Sequence, residues 1–266
     1  MLSSITGCID IPVAPRRTTP PAIARITLLA VLILSFLSAG SGASEKSFYH
    51  PLIDIEVELR SDGSALITET RHFSFDGSFS WAELERGTVG DYGQYHVEFI
   101  SVTDADTGEP LKTETSSTGR SEKVRWHYSA RDETRSFIVK YRVGGAIQRY
   151  GDAAQFYWKL VSDRHQRIDD LRARLLLPSR PESLFKVFVH SSARPGTLDI
   201  REDNGEALVS MSHIGRDTFV EIRALIDPSL FARAPVLRME SYESLIEDER
   251  RTTQRWRAVE RRRIEA

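Results

Sequence analysis

The chain has 266 residues, of which 28% are charged and 40% hydrophobic, and its formal net charge at pH 7 is −2. This mildly acidic balance argues against nucleic-acid binding, because affinity for nucleic acid rests on neutralising phosphates with a basic surface. The one cysteine, Cys8, lies in the predicted leader. A mature form without the leader would contain no disulfide and would depend on burial for its stability.

Residues 1–43 have the pattern of a secretion signal. Three arginines precede an apolar run at 26–37, and small residues then follow up to Ala43. About a dozen apolar residues form a helix of roughly 18 Å, which is too short for a hydrocarbon core of about 30 Å. We therefore predict an exported protein that is cleaved after Ala43, with an uncleaved N-terminal anchor as the alternative.

Apolar and polar side chains alternate with a two-residue period from Leu52 onward, which is typical of half-buried strands. Asp62-Gly63 and Asn204-Gly205 predict tight hairpins. The predicted strands lie at 53–59, 65–75, 97–103, 124–128, 137–143, 156–161, 171–177, 185–190, 207–214 and 219–226. About ten strands without an intervening helical period predict an all-β fold, an antiparallel β-sandwich of one or two lobes.

The domain prediction is one sandwich at 46–145, with its continuation or a second lobe at 146–235. After Pro235 the composition changes: residues 239–266 lack Gly and Pro and run from an acidic to a basic half. Both halves complement a helix dipole, so we predict a charged α-helix in a juxtamembrane position. Because its apolar content is thin, we expect this helix to project from the sandwich.

Three stretches carry a resemblance to a known family. They are IDIEVELRSDGSALITETRHFSFDGSFSWAELERG at 53–87, IVKYRVGGAIQRYGDAAQFYWKLV at 138–161, and LRARLLLP at 171–178. They resemble the bacterial predicted membrane proteins grouped as domain of unknown function 2207. The resemblance implies an extracytoplasmic β-sandwich followed by a charged helix and transmembrane segments, and it implies no biochemical activity.

No later apolar run in this sequence reaches the roughly 18 residues that a membrane span requires. We therefore predict membrane association through the N-terminal segment or through a missing C-terminal anchor.

Two charged residues interrupt the apolar face of a predicted strand. Glu69 and Arg71 alternate with Ile67 and Phe73. Since a buried charge must be paired, we predict a structural charge pair of Glu69 with Arg71 or Arg86 that fixes strand register. The alternative is a carboxylate that faces a ligand.

The stretch 150–158 is the densest mixture of aromatic and polar side chains in the sequence, and such amphipathic groups can line a glycan or peptide groove. The candidate ligand or interaction residues are Tyr150, Asp152, Gln155 and Tyr157. The alternative is a loop that leads into a core strand, with Phe156 and Trp158 pointing inward and Tyr157 outward.

No motif in the sequence indicates catalysis. The seven histidines are scattered singly, without zinc-ligand spacing, and no serine-nucleophile or phosphate-loop motif occurs, so we predict no metal and no cofactor. The leading hypothesis is a non-enzymatic envelope module at the periplasmic or extracytoplasmic face of the cytoplasmic membrane. It would bind an envelope protein, peptide or glycan, or serve as a structural part. The alternative is a hydrolytic enzyme that acts on envelope polymers through loop carboxylates.

Overall fold

The computed structural model describes residues 46–90, 93–236 and 242–264, with the side chains of the final helix described to residue 255. The predicted secretion signal at 1–43 lies outside these residues. Within them the protein consists largely of strands and ends in one helix, which confirms the predicted all-β fold.

The described strands are, in chain order, β1 (Ser47–Leu59), β2 (Ala65–Asp76), β3 (Ser78–Gly87), β4 (Val89–Gly90), β5 (Gly93–Gln94), β6 (His96–Asp104), β7 (Thr113–Ser117), β8 (Ser121–Arg131), β9 (Thr134–Gly144), β10 (Ile147–Arg149), β11 (Ala154–Val161), β12 (Ile168–Leu176), β13 (Phe185–Ser191), β14 (Thr197–Arg201), β15 (Glu206–Ile214) and β16 (Val220–Ile226). Short 3₁₀ helices lie at Glu202–Asn204 and Pro228–Phe231, and helix α1 spans Tyr242–Ile264. The sequence did not predict β3, β7 or β14, because exposed side chains dominate these strands, and it did not predict β4, β5 or β10, which have only two or three residues each.

The strands form a seven-stranded sheet, a four-stranded sheet, a three-stranded sheet and a short hairpin. Their orders are β14-β15-β12-β1-β2-β9-β6, β10-β11-β16-β13, β3-β8-β7 and β4-β5. Strands β1 and β12 pair in parallel, whereas the other ladders between described strands are antiparallel. Strands from both predicted ranges, 46–145 and 146–235, therefore lie side by side in the largest sheet.

A continuous hydrophobic core fills the space between the sheets. The alternation in β1 buries Ile53, Ile55 and Val57 and leaves the residues between them partly exposed, as the two-residue period predicts. Across the core, the ring of Phe73 in β2 meets that of Trp126 in β8, with 6.4 Å between centroids. The inner face of the seven-stranded sheet is thus covered by the smaller sheets, as in a β-sandwich.

The predicted Asp62-Gly63 hairpin joins β1 to β2. Gly63 has a φ of +82°, in the left-handed region that favours glycine. The loop is closed by the amide of Arg60, which donates to the carbonyl oxygen of Ser64 at 2.8 Å, and by Asp62 Oδ1, which accepts from the amide of Ser64 at 3.0 Å. The turn residues therefore position β2 in antiparallel register beside β1.

Helix α1 packs against the four-stranded sheet, so the expectation that it projects from the sandwich is wrong for its first half. Leu245 is 3% exposed and lies in a small apolar cluster with Tyr150, Ala153 and Leu225. The apolar content of the helix does not determine its position, because polar contacts with the sheet also hold it. No helix among the described residues is both long and apolar enough to cross a membrane.

Candidate functional site

Four side chains form a buried ion cluster between the large sheet and β3: Glu69, Arg71, Arg86 and Tyr141. Strand β2 contributes Glu69 and Arg71, β3 contributes Arg86, and β9 contributes Tyr141. One carboxylate oxygen of Glu69 accepts from Arg71 Nη1 at 2.7 Å, and the other accepts from Tyr141 Oη at 2.6 Å and from Arg86 Nη2. Glu69 thus pairs with both arginines that the sequence proposed as alternatives.

The buried ion cluster contains one carboxylate and two guanidinium groups, so its formal charge is positive. Burial alone would raise the pKa of Glu69, but the charges of Arg86 and Arg71 and the hydrogen bonds from Arg86 and Tyr141 hold that pKa below its ordinary value. Burial raises the pKa of the Tyr141 hydroxyl, which therefore stays a donor. The carboxylate of Glu69 remains ionised and compensates only one of the two cations.

Arg86 lies where the three sheets meet. Besides Glu69, its Nη2 group donates to the carbonyl oxygen of Leu160 in β11 at 3.4 Å. Its Nε–H has no hydrogen-bond acceptor among the described residues, although the side chain is 4% exposed. A buried donor without an acceptor is costly, so this guanidinium is incompletely satisfied.

An open cleft of about 550 Å³ lies beside Arg86, between the end of β3, the β4-β5 hairpin and strand β11. On its wall, the hydroxyl of Tyr157 donates to Glu221 Oε2 at 2.5 Å. Lys159 Nζ lies 3.4 Å from the other oxygen of Glu221 and 3.9 Å from Asp163. The wall is therefore polar and already held in place by its own contacts.

Strand β11 runs along this cleft. Strand β10 pairs with β11 only from Ala154 to Phe156, whereas β16 pairs with it on the other side as far as Val161. Within the described part of the chain, no strand continues the β10 side beyond Phe156. Side chains cover this stretch instead: the carbonyl oxygen of Tyr157 accepts from the hydroxyl of Tyr95 at 3.4 Å, and that of Leu160 accepts from Arg86 Nη2.

The structure separates the four candidate interaction residues of the 150–158 stretch. Tyr157 alone lines the cleft. Tyr150 is 5% exposed and packs in the apolar cluster with helix α1, while Asp152 Oδ1 accepts from the amide of Tyr242 at the start of that helix at 2.8 Å. Gln155 is fully buried and accepts from Arg223 Nε at 2.8 Å. Three of the four candidates therefore contact the helix or lie beneath it.

A helix-docking cluster joins α1 to the four-stranded sheet, and its members are Gln155, His190, Arg223, Asp248 and Glu249. Arg223 Nη1 donates to Asp248 at 3.0 Å and to Glu249 at 3.2 Å. Glu249 also lies 2.8 Å from His190 Nε2. Burial would raise the pKa of Glu249, but the contact with His190 and the charge of Arg223 hold it below its ordinary value. These contacts supplement the thin apolar face of the helix.

Sequence reasoning missed the main polar residues of the cleft and of the helix-docking cluster. Glu221 and Lys159 occupy ordinary alternating positions on their strands, so nothing local marks them. Arg223 gives no local signal either, because Glu221 and Arg223 alternate with apolar residues in β16, as on an ordinary strand with one solvent-facing side.

Metal-binding groups are dispersed in the described part of the chain, where no three His, Cys, Asp or Glu side chains converge. The polar groups of the cleft are instead arranged as hydrogen-bond donors and ion pairs. Such an arrangement can orient a polar ligand.

Several solved structures resemble the chain at low identity. A candidate nutrient-binding protein of Legionella pneumophila subsp. pneumophila str. Philadelphia 1 is 10% identical with a TM-score of 0.46, and the match covers 70% of this chain and 69% of that one. The M1 zinc metallopeptidase of Deinococcus radiodurans is 12% identical with a TM-score of 0.39, covering 66% and 42%. Yeast LTA4 hydrolase is 11% identical with a TM-score of 0.45, covering 67% and 29%.

The chain thus spans less than half the length of the metallopeptidase and of the LTA4 hydrolase, and similarity this distant says nothing about what it binds or catalyses. No curated protein matches the chain in sequence. The model of one protein family, described as the N-terminal domain of predicted membrane protein DUF2207, matches residues 51–226. Since this match covers more than half of the sequence, the chain belongs to the DUF2207 family of predicted membrane proteins.

Proposed function

We propose that this chain is a non-enzymatic binding module, exposed at the extracytoplasmic face of the cytoplasmic membrane, that recognises an envelope protein, peptide or glycan. The observation that carries this proposal is the open cleft beside Arg86, which combines an aromatic wall at Tyr157 with fixed polar groups. Ligand sites are commonly concave and contain a few convergent polar groups on a rigid frame. The secretion-signal pattern at 1–43 supports the location.

The contacts of the cleft acids favour recognition over hydrolysis. Glu221 accepts from Tyr157 and pairs with Lys159, and Lys159 also approaches Asp163. Glu221 is therefore engaged in two contacts within the protein and is held in a fixed position. A polar group fixed in this way suits the orientation of a bound ligand.

The binding proposal is tested by affinity capture from detergent-solubilised envelope fractions with the full chain as bait. Tyr157→Phe removes the hydroxyl that fixes Glu221, and Lys159→Gln removes the neighbouring cation. Arg180→Gln is the matched control, because its side chain is 71% exposed and does not line the cleft. We expect partners to be lost with the two cleft variants at unchanged thermal stability, and retained with the control.

Capture that is identical for the cleft variants and the wild type would overturn the role of the cleft. Release of soluble fragments from purified envelope polymers by the wild type, but not by Glu221→Gln, would favour the hydrolase. The location is tested separately by protease treatment of spheroplasts, in which an extracytoplasmic chain is degraded while the inner membrane stays intact.

A further inference from the structure

We propose that two copies of this chain associate through edge strand β7, so that their two three-stranded sheets become one continuous antiparallel sheet. The residues of β7 do not line the cleft, and the dimer is therefore independent of the proposed function. Three properties of β7 support it: an exposed backbone edge, a sequence without protective residues, and a register in which the strand complements itself.

Strand β7 has one open edge. Strand β8 pairs with it on one side, and no strand in the described part of the chain lies on the other. All five residues of Thr113–Ser117 are exposed, although their side chains alternate between the two faces of the sheet. The ladder with β8 contains no bulge. The outer backbone of β7 is therefore accessible along its whole length.

Hydrogen bonds at the two ends of the ladder show which backbone groups face outward. The amide of His127 donates to the carbonyl oxygen of Lys112 at 3.0 Å, and the amide of Thr118 donates to that of Ser121 at 3.0 Å. Hydrogen-bonded positions alternate along an antiparallel ladder, so the even-numbered residues of this stretch bond to β8. The N–H and C=O groups of the odd-numbered residues point away from β8 and have no hydrogen-bond partner among the described residues. These residues are Thr113, Thr115 and Ser117.

The sequence of β7 lacks the features that usually keep sheet edges apart. Bulges, charged side chains and prolines protect such edges from pairing. In the seven-stranded sheet, edge strand β6 has a bulge near Ile100, and edge strand β14 carries Asp199 and Arg201. Strand β7 reads TETSS, with Glu114 as its one charged residue and with no Lys, Arg or Pro. Its short length limits the strength of pairing but does not prevent it.

A two-fold axis through Thr115 pairs all the outward groups of β7. In this antiparallel register Thr115 faces Thr115 of the second copy, and Thr113 faces Ser117 of the second copy. Each facing pair exchanges two main-chain hydrogen bonds, from N–H to C=O in both directions. The side chains of these pairs are small and carry hydroxyl groups, a combination that is stabilising across strands. The edge is thus self-complementary, as a two-fold symmetric dimer requires.

Charge selects this register over its neighbour. With the axis at Thr115, Glu114 faces Ser116 of the second copy. Ser116 pairs with Lys123 in β8, so the cross-strand row that contains Glu114 continues to Lys123 of the second copy. A two-fold axis at Glu114 would instead place two carboxylates directly opposite each other, which is destabilising. The pattern of β7 therefore fits a second copy of this chain in one defined alignment.

The dimer is tested by sedimentation equilibrium of the full chain in density-matched detergent. An edge of five residues buries less than the roughly 1,200 Å² of a standard interface, so we expect a dissociation constant on the order of 0.1 mM. Thr115→Pro removes an outward N–H and leaves the hydrogen bonds to β8 in place. We expect this variant to associate about tenfold more weakly or less at unchanged thermal stability. Thr115→Val keeps both backbone groups and is the matched control, with association retained.

Charge exchange at the axis tests the register. Thr115→Lys and Thr115→Glu each place two like charges opposite each other in a homodimer, so we expect each variant alone to stay monomeric. An equimolar mixture places Lys opposite Glu, and we expect its association to return at least to the wild-type level. Because the side chain of Thr115 is exposed, both variants should fold as the wild type does.

A wild-type chain that stays monomeric at about 0.5 mM would overturn the dimer. Association that Thr115→Pro leaves unchanged would overturn the role of β7, since another part of the chain, such as the apolar run at 26–37, would then be responsible. No recovery in the mixture of the Lys and Glu variants would refute the alignment at Thr115. Loss of a captured envelope protein in Thr115→Pro, without self-association of the wild type, would assign the edge to a different partner and also contradict the proposal.

Discussion

Arg223 of β16 and Glu249 of helix α1 form an ion pair from which solvent is almost fully excluded, with Nη1 3.2 Å from Oε2 and side-chain exposures of 0% and 4%. Their strand and helix are separated in sequence by the segment that contains the Pro228–Phe231 turn. The pair therefore fixes the first half of the helix on the outer face of the four-stranded sheet.

Removing one partner of this pair should destabilise the protein. Because Glu249→Ala removes the buried carboxylate beside Arg223 and leaves the partly exposed Asp248 and the neutral amide of Gln155, we expect the free energy of unfolding to fall by about 3 kcal/mol. Urea denaturation followed by far-UV circular dichroism measures the change. Glu247→Ala, at an exposed position of the same helix, is the control and should change stability by less than about 0.5 kcal/mol. Equal effects of the two variants would contradict the docking of the helix.

Glu69→Gln should strongly reduce the free energy of unfolding. It preserves the shape of the side chain but leaves Arg71 and Arg86 without a buried anion, so we expect a loss of about 3–5 kcal/mol in unfolding free energy. Glu56→Gln is the matched control, because Glu56 pairs with Arg174 on the exposed outer face and should cost at most about 1 kcal/mol. Chemical denaturation of both variants measures the difference, and a loss at Glu69 no larger than that at Glu56 would contradict the role of the buried ion cluster.

The free energy of unfolding should decrease as the pH is lowered below the ordinary pKa of histidine, because His50 is buried in its neutral form. The side chain is 3% exposed, and its Nδ1 donates to the carbonyl oxygen of His72 at 2.9 Å. Burial and the charge of Arg71 hold the pKa of His50 well below its ordinary value. Between the lowered folded pKa and the unfolded value of about 6.5, the unfolded chain binds the proton more readily. The stability contributed by neutral His50 is thus complete above about pH 6.5 and declines as the pH falls toward the folded pKa.

The pH dependence of the ring resonances of His50 checks this expectation. They should keep the chemical shifts of the neutral form at pH 6, and His50→Gln should reduce the slope of unfolding free energy against pH just below neutrality. Titration of the His50 resonances at the ordinary histidine pKa would refute the prediction.

A comparison of Gly63→Ala with Gly108→Ala distinguishes the cost of backbone strain from the cost of a steric clash. Both have positive φ, +82° and +73°, so Ala at either position costs about 1 kcal/mol in backbone strain. At Gly108 an added Cβ meets nothing within 4 Å, whereas at Gly63 it would lie 2.8 Å from the Cβ of Ala234. We expect Gly63→Ala to cost about 1–3 kcal/mol more than Gly108→Ala, measured by thermal denaturation. Equal losses would show that the hairpin can move away from Ala234.

Strand alternation predicted the fold class well because it is a local property. Each residue of β1 faces the core or solvent according to its position in the two-residue period, whatever the partner strand. The same argument placed Glu69 and Arg71 on an apolar face and required a counter-charge. It could not predict that β12 pairs with β1 in parallel, since the two strands are separated by more than a hundred residues.

Helix α1 shows where local reasoning fails. Its composition indicated a helix, and the structure contains one at Tyr242–Ile264. The position of the helix depends on Arg223 of β16 and His190 of β13, which become neighbours only when these two strands pair. A count of apolar residues on the helix cannot include these partners.

By itself the sequence determined the strand periodicity, the hairpin turns, the helix and the need for a buried counter-charge, because each follows from neighbours along the chain. The tertiary structure alone decided that Tyr150, Asp152 and Gln155 contact α1 or lie beneath it, that Tyr157 faces a cleft, and that Arg86 reaches both Glu69 of β2 and Leu160 of β11. Those relationships arise from contacts between residues far apart in sequence, whose pairing is selected by the packing of whole sheets and is not encoded in any single segment.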